Sequence, residues 1–279
     1  MFNFDKTYVI NLESRTDRKQ YFDSNFKYKL SYEYITAYHG TSLNIPKLIK
    51  QGKLNNSFYD PNGMVNKNII ACALSHRLAM ESFEKSGEET CLILEDDVML
   101  DPNKFTDNYI NQLNSELSQL GDWDIVFLGR QEKYIFHELR DPPENSITPL
   151  FCKHGMGLGG FAAHSYLINK RSVKKLLEYS KPIKYAADVA LDMRCNDMNV
   201  YCLKESLFRQ LLDINFDLGE IRFTEGFSDT SEYDIDKNQC YMFTVVDDTV
   251  KSSEYLENNT KVDGPNRYIG GLVKLNFKE

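Results

Sequence analysis

Several features that would settle this protein's class at a glance are missing. No apolar run reaches the length of a transmembrane helix, and the opening MFNFDKTYVINL lacks the basic-then-apolar pattern of a signal peptide. The six cysteines (Cys72, Cys91, Cys152, Cys195, Cys202 and Cys240) form no C-x-x-C pair. Several sit inside apolar runs, which reads as reduced core thiols in a reducing compartment. The expectation is a cytoplasmic protein without a membrane span, in which the N-x-S/T sequons at Asn55 and Asn258 carry no sugar. Basic excess is missing too: 33 Lys and Arg stand against 41 Asp and Glu, for a net charge of −8. With no Lys/Arg-rich patch to neutralise phosphates, the sequence argues against a nucleic-acid partner. It has no internal repeat and no low-complexity segment, and nothing in it points to an oligomeric state.

What is present is an ordinary globular composition, 42% hydrophobic and 27% charged over 279 residues. That is enough chain for one large α/β domain or two modest ones. TYVINL (7–12) is a short β-rich apolar run. The following ESRTDRKQYFDSNF predicts a helix with Tyr21, Phe22 and Phe26 on one face, capped by Ser14 or Thr16. SYEYITAY (31–38) reads as a second strand. NKNIIACALSHRLAMESFEKSG sets apolar residues 69, 70, 73, 74, 78, 80 and 83 at helical spacing, with Gly87 as its stop. Then come CLILEDDVML (91–100), a helix around 105–120 and the strand WDIVFLG (123–129). Strands alternating with helices predict a mostly parallel sheet with helices on both faces, whose ligands bind at the carboxyl ends of the strands.

Residues 130–155, with Pro142, Pro143 and Pro149, read as loop. GLGGFAAHSYLINKRSVKKLLEYS reads as a strand and a helix capped by Asn169, YAADVALDMRCNDMN as a further helix, and VYCLK as a strand. The acidic, aromatic tail beyond residue 215 has weak periodicity and is expected to form loops and short elements.

Within CLILEDDVML, three carboxylates stand side by side at the end of a buried strand: Glu95, Asp96 and Asp97. They repel one another, and desolvating even one is costly. A strand continuing through them turns Glu95 and Asp97 to one face and Asp96 to the other. Two converging carboxylates suit a hard divalent cation such as Mg²⁺ or Mn²⁺, which fills its other positions with waters or phosphates. A solvated acidic turn is the plain alternative. A phosphatase of the aspartyl-phosphate type fits poorly, because its Asp-x-Asp follows a strand near the N-terminus. A sugar nucleotidyltransferase fits poorly as well, since NLESRTDR has no glycine for a phosphate loop.

Taken in order, YVINLESRTDR, ACALSHRLA and LILEDDV resemble glycosyltransferase family 25, the group of the lipopolysaccharide and procollagen galactosyltransferases. WDIVFLGR, AHSYLINKRSVKKLL, ADVALD and FSDTSE extend the resemblance from about residue 7 to about residue 232. One departure stands out: where relatives read Ala-Val-Asp-Gly after the second strand, this chain has Ala37-Tyr38-His39-Gly40. The resemblance implies an α/β GT-A fold, a Rossmann-like sandwich, as a single domain over 1–279. Residues 1–130 would form the nucleotide-sugar half and 131–215 the acceptor side, with 216–279 an irregular segment packed on the domain.

For the site, the resemblance implies Mn²⁺ or Mg²⁺ on Glu95 and Asp97, with Asp229 of SDT a weaker candidate for a metal-side or acceptor contact. The UDP-hexose donor would meet Asn11, Leu12, Arg15, Arg18, Ser75, His76 and Asp96. If the transfer inverts the anomeric centre, Asp188, with Asp192 one helical turn later, is the candidate base for the acceptor hydroxyl. The plain readings stand beside these: a solvated helix face for Arg18, a core histidine for His76, and dipole-favoured helix acids for Asp188 and Asp192. FLGR and SDT favour the collagen-modifying branch, whose acceptor is hydroxylysine or its galactosylated form on a collagen-like polypeptide. A lipopolysaccharide or other glycan acceptor, and a catalytically silent glycan-binding relative, are the alternatives.

Overall fold

The computed structural model describes residues 2–56, 67–100, 104–129, 146–155, 163–210, 239–243 and 272–276. The chain divides into two compact units, Met1–Asn215 and Phe216–Glu279. In the first, the strands are β1 (Lys6–Asn11), β2 (Glu33–Thr36), β3 (Thr90–Glu95), β4 (Val98–Leu100), β5 (Ile125–Phe127), β6 (Phe151–Lys153), β7 (Ser165–Asn169), β8 (Val200–Leu203) and β9 (Phe208–Gln210). The helices are α1 (Thr16–Phe26), α2 (Ile45–Lys50), α3 (Lys67–Ser86), α4 (Asp107–Gln119), α5 (Lys170–Tyr179) and α6 (Ala187–Asp192).

Among the described residues, seven strands form one sheet in the order β2-β1-β3-β7-β5-β8-β6. Neighbours β2, β1 and β3 are parallel, as are β5 and β8, while β7 and the edge strand β6 run antiparallel to their partners. Five strands therefore share one direction, the mostly parallel GT-A arrangement.

The period of two along each strand sorts side chains into two cores. Tyr8, Ile10, Ile93, Ile125, Phe127, Tyr166 and Ile168 join one cluster, against Met80 and Phe83 of α3, Leu176 of α5 and Leu191 of α6. Val9, Leu92, Leu94, Val126 and Leu167 join the other, against Phe22 and Phe26 of α1 and Leu113 of α4. Helices thus cover both faces of the sheet. Phe22 and Phe26, one turn apart, stack at 4.2 Å between ring centroids and are fully buried. Each such ring contributes about 1.5–3 kcal/mol relative to an exposed one.

Several local expectations change. Neither Ser14 nor Thr16 caps α1: the helix begins at Thr16, with Arg15 at its N-cap and no side-chain cap bond. Ile69 lies outside the buried stripe of α3 and is exposed, whereas Ala71, Ser75 and His76 are inside it. Asn169 does cap α5, in a capping box with Ser172, and α3 does end before Gly87, whose φ of 78° is left-handed. The helix expected over 185–199 is α6 followed by a 3₁₀ turn, Met193–Asn196. The loop expected over 130–155 contains β6, and β4 pairs with β9 in a small second sheet. In the second unit, β10 (Gln239–Phe243) and β11 (Leu272–Asn276) form an antiparallel pair. Asp229 lies outside the described residues.

Candidate active site

Strands β1 and β3 are parallel neighbours, with Ile10 opposite Glu95, so both of their carboxyl ends open at one edge of the sheet. Asn11 closes β1, and Glu95, Asp96 and Asp97 close β3, in the kind of crevice where α/β sheets bind ligands. The strand does not run through all three acids. It ends at Glu95, and Asp96 and Asp97 form the turn into β4. The expected pairing of Glu95 with Asp97 on one face is therefore replaced by two different environments.

On one side, Arg18 from the first turn of α1 meets Asp96 Oδ1 at 2.9 Å and Asp97 Oδ2 at 3.3 Å. Asn11 Nδ2 donates to Asp96 Oδ2 at 2.7 Å and to the Arg15 carbonyl at 3.3 Å. Asp96 and Asp97 are both buried, and Asp97 Oδ1 has no hydrogen-bond partner among the described residues. Burial, reinforced by the neighbouring Glu95 and Asp96 charges and opposed by Arg18, pushes the pKa of Asp97 up to about 8. Burial raises that of Asp96 as well, against Arg18 and Asn11. Tyr21 of α1 sits close by, its pKa pushed up to about 12 by burial and then by the Asp97 charge.

On the other side, His76 of α3 binds Glu95 Oε1 through Nε2 at 3.0 Å and the Tyr166 hydroxyl through Nδ1 at 3.1 Å. Gln210, the last residue of β9, donates to Glu95 Oε2 at 3.2 Å. Burial works to raise the Glu95 pKa, but the hydrogen bond and charge of His76, with His164 and Arg18, outweigh it and leave the pKa lowered.

The remaining predicted residues fall around this frame. Arg15 forms a two-point pair with Asp17, at 2.9 and 2.8 Å, while its backbone N–H bonds the carbonyl of Leu12. Ser75 is buried and ties two segments together: its hydroxyl donates to the Ala71 carbonyl at 2.7 Å and accepts from the Tyr38 N–H at 2.9 Å. His39 is exposed and caps the 3₁₀ turn Gly40–Ser42, its Nδ1 accepting from the Thr41 N–H. Gly40 admits no side chain, because a Cβ there would lie 2.0 Å from Asn68 Oδ1 and 2.9 Å from the Asn68 backbone nitrogen. Gly129 is equally constrained at the end of β5, where a Cβ would meet the Phe208 carbonyl at 2.1 Å.

Asp188 begins α6, its Oδ1 accepting the Val189 N–H at 2.8 Å. The protein packed around it, with the Glu95 and Asp192 charges, pushes its pKa up to about 6. It thus lies within electrostatic reach of Glu95 and His76. Asp192 does not share its surroundings: Asp192 Oδ1 is 2.6 Å from His154 Nε2. Sequence reasoning missed Tyr166, Gln210 and Cys72. Only Cys72 carried a signal, its i,i+4 spacing from His76 on one helix face.

Among the described residues, two sets of donors lie close enough to share a metal ion: Cys72, His76 and Glu95, and His154, Asp192 and Cys195. Glu95, Asp96 and Asp97 do not form a third set at that spacing, but they are carboxylates at one strand end, and Asp97 Oδ1 has no hydrogen-bond partner among the described residues. That donor chemistry suits a hard dication rather than a soft one.

The family model described as "Glycosyltransferase family 25 (LPS biosynthesis protein)" matches residues 4–191. An Aedes aegypti protein, "Glycosyltransferase 25 family member", is 28% identical over 183 residues, covering 63% of this chain and 28% of its own. "Procollagen galactosyltransferase 1" of Danio rerio is 27% identical over 188 residues, or 65% of this chain and 29% of its own. "Probable inactive glycosyltransferase 25 family member 3" of Rattus norvegicus is 29% identical over 137 residues, 46% of this chain and 23% of its own. The chain spans less than a third of the length of these relatives. The family match takes in the ends of β1 and β3, all of α3 and the start of α6, and with them each side chain described around the acid cluster except Gln210. The chain belongs to glycosyltransferase family 25.

Proposed function

We propose that this chain moves a hexose, galactose or glucose, from a UDP-sugar to an acceptor hydroxyl, in a reaction that depends on Mn²⁺ or Mg²⁺. Asp97 carries the reading: it is a buried carboxylate with one oxygen unpartnered among the described residues, and it shares a single guanidinium with Asp96. Asp97 would be the principal metal ligand, with Glu95 reached directly or through water, since both Glu95 oxygens already have protein partners. When bound, such an ion stabilises the charge that gathers on the departing diphosphate.

The protein's own groups supply the rest. Arg18 keeps a fixed positive charge beside the same carboxylates, and Arg15 and Asn11 stand at the end of β1 where a nucleotide would lie. His76, with Ser75 next to it on α3, holds the floor of the cleft beside the donor sugar. Asp188 is the base for the acceptor hydroxyl. With its pKa near 6 it is ionised at neutral pH yet basic enough to take a proton as the new bond forms. Asp192 acts on α6 through His154 and not on the substrate. Hydroxylysine or galactosylhydroxylysine of a collagen-like polypeptide is the favoured acceptor. The net charge of −8 suits a basic chain, FLGR matches that branch, and one relative is named as a procollagen galactosyltransferase. A lipopolysaccharide glycan is the other acceptor in view.

A second reading has its own observation. Arg18 is already a counter-ion to Asp96 and Asp97, so the acids are partly neutralised without a metal, which suits a protein that binds a glycan or nucleotide without turnover. The deciding experiment measures UDP release from UDP-galactose and UDP-glucose, with Mn²⁺ or with chelator, on free and galactosylated hydroxylysine, for the wild type and Asp97→Asn. Metal-dependent release with one donor, lost in the variant, establishes the transferase and names its sugar. Absence of release in every combination, with UDP still binding, moves the assignment to the silent relative.

A further inference from the structure

A second constellation lies away from the acid cluster. His154 directly follows edge strand β6, and its N–H extends the ladder to the Val200 carbonyl of β8 at 2.9 Å. Two residue pairs further along the two strands, and so on the same face, Cys152 faces Cys202, with their sulfurs 3.3 Å apart. From the helical layer, α6 ends at Asp192 and tightens into the 3₁₀ turn Met193–Asn196, which carries Cys195. Side chains three residues apart eclipse in a 3₁₀ turn, so Asp192 and Cys195 come to the same side, over the His154 ring. The donor atoms of His154, Asp192 and Cys195 all lie within 4.8 Å of one another. The Cys202 thiol is beside the ring as well, near enough to affect its protonation.

An ion pair between His154 and Asp192 does not account for all of this. The ring is 3% exposed, and its Nδ1 is buried with no hydrogen-bond partner among the described residues. An imidazole, a carboxylate and a thiol within 4.8 Å of one another, with a second thiol beside the ring, are the donor types of a structural zinc centre. They are not those of Mg²⁺ or Mn²⁺. Donors around such an ion stand roughly 3.2–3.8 Å apart, from the usual zinc bond lengths. The 2.6 Å contact between His154 Nε2 and Asp192 Oδ1 has to open by about half an ångström for an ion to enter between them.

We propose that His154, Asp192 and Cys195 bind one Zn²⁺, with Cys202 closing in as the fourth ligand, a structural ion separate from the metal proposed for the acid cluster. The ion ties the end of α6 to the edge of the sheet. If Asp188 is the base, as proposed above, the zinc also fixes that residue, one turn earlier on the same helix. That last consequence rests on the functional reading, whereas the metal site does not.

The test is the metal content of the full chain, purified without chelator, dialysed against metal-depleted buffer and measured by elemental mass spectrometry. The expected result is about one zinc per chain in the wild type, since closed structural sites hold zinc tightly. Cys195→Ser and His154→Gln should each lose most of it, while Cys72→Ser and Asp97→Asn keep it. Should the first two variants fail to fold, the wild type still decides. Cobalt exchanged into it should give the intense visible bands and thiolate charge-transfer absorption of a tetrahedral site, and a mercurial should release the zinc as the thiols titrate. A wild type that carries zinc in fewer than about one chain in ten even after zinc addition overturns the proposal. So does zinc that leaves with Cys72 rather than with Cys195, or cobalt bands without thiolate character. None of these readouts involves sugar transfer, so an inactive protein with full zinc would sink the functional reading and leave this one standing.

Discussion

The two sides of the acid cluster are a controlled comparison within one tripeptide. Glu95 and Asp97 are two residues apart, both at the end of β3, yet the pKa of one is lowered and that of the other is raised to about 8. The difference is partners. Glu95 has His76 on one oxygen and Gln210 on the other, whereas Asp97 shares Arg18 with Asp96 and, among the described residues, has one oxygen with none. A buried carboxylate with its hydrogen bonds satisfied is structural equipment. One left short of positive charge pushes its pKa up and offers a place for a cation.

The largest effect should come from removing the only guanidinium that faces both aspartates among the described residues. Arg18→Gln leaves two buried carboxylates uncompensated, and breaking such a pair from one side costs about 3–5 kcal/mol. Denaturant unfolding in chelator should show that loss, and saturating Mn²⁺ should restore part of it if the ion takes over the neutralisation. A variant as stable as wild type would mean the aspartates take up protons freely and the comparison is false.

Asp97→Asn separates stability from activity. Its folded-state pKa lies above the ordinary carboxylate value, so the folded chain holds a proton that the unfolded chain gives up. Stability from this site is therefore complete below about pH 4 and lost as the pH rises toward 8. Without metal, the variant should melt above wild type at pH 8, with the gap closing by pH 5. With Mn²⁺ at a hundred times its Kd the gap should narrow by about 2.7 kcal/mol, because wild type alone gains from the ion. Transfer activity should fall about a hundredfold to a thousandfold in the variant, as for other electrostatic elements of a transition state. Melting curves that run parallel at all pH values, with and without metal, would remove Asp97 from the site.

How much of this was legible beforehand follows the same division. The strands read well because the period of two, in YVIN, CLILE and SYLIN, buries both faces. The capping box of α5 read well because Asn169 and Ser172 are local to it. What failed was non-local. β6 is three residues of edge strand, made by pairing with β8 rather than by its own pattern. The direction of β7 is set by its neighbours β3 and β5. The acid cluster was found as a set of charges, but its split into two environments was not, because the partners come from residues 18, 76 and 210. Asp192 was paired with Asp188 on helical spacing alone, and a histidine 38 residues earlier in the chain claims it instead.

On the Glu95 side the effect should be intermediate and its sign opposite with pH. His76→Gln removes the group that holds the Glu95 pKa down and leaves the Tyr166 hydroxyl short of a partner. The loss should be about 1–3 kcal/mol, the cost of buried polar groups left unmatched. Because the lowered pKa stabilises the fold above the carboxylate range and not below it, the deficit should be widest at neutral pH. It should narrow on acidification, as thermal midpoints from pH 7 to pH 3 would record. A deficit constant with pH would mean that His76 acts by packing alone.

The smallest structural effect, and the sharpest question for the nucleotide side, belongs to His39→Asp. The histidine is exposed and its ring nitrogen accepts the Thr41 N–H, a role an aspartate carboxylate fills at the same N-cap. The backbone there, at φ −95° and ψ 127°, suits either residue. Stability should therefore change by no more than about 0.5 kcal/mol. What the substitution alters is the charge beside Tyr38 and the end of β2, where the resemblance leads one to expect an acid. If that carboxylate meets the nucleoside, UDP should bind roughly tenfold more tightly to the variant, about 1.4 kcal/mol in a calorimetric titration. Equal affinity would mean that the residue serves the turn alone, where histidine and aspartate can accept the same backbone hydrogen.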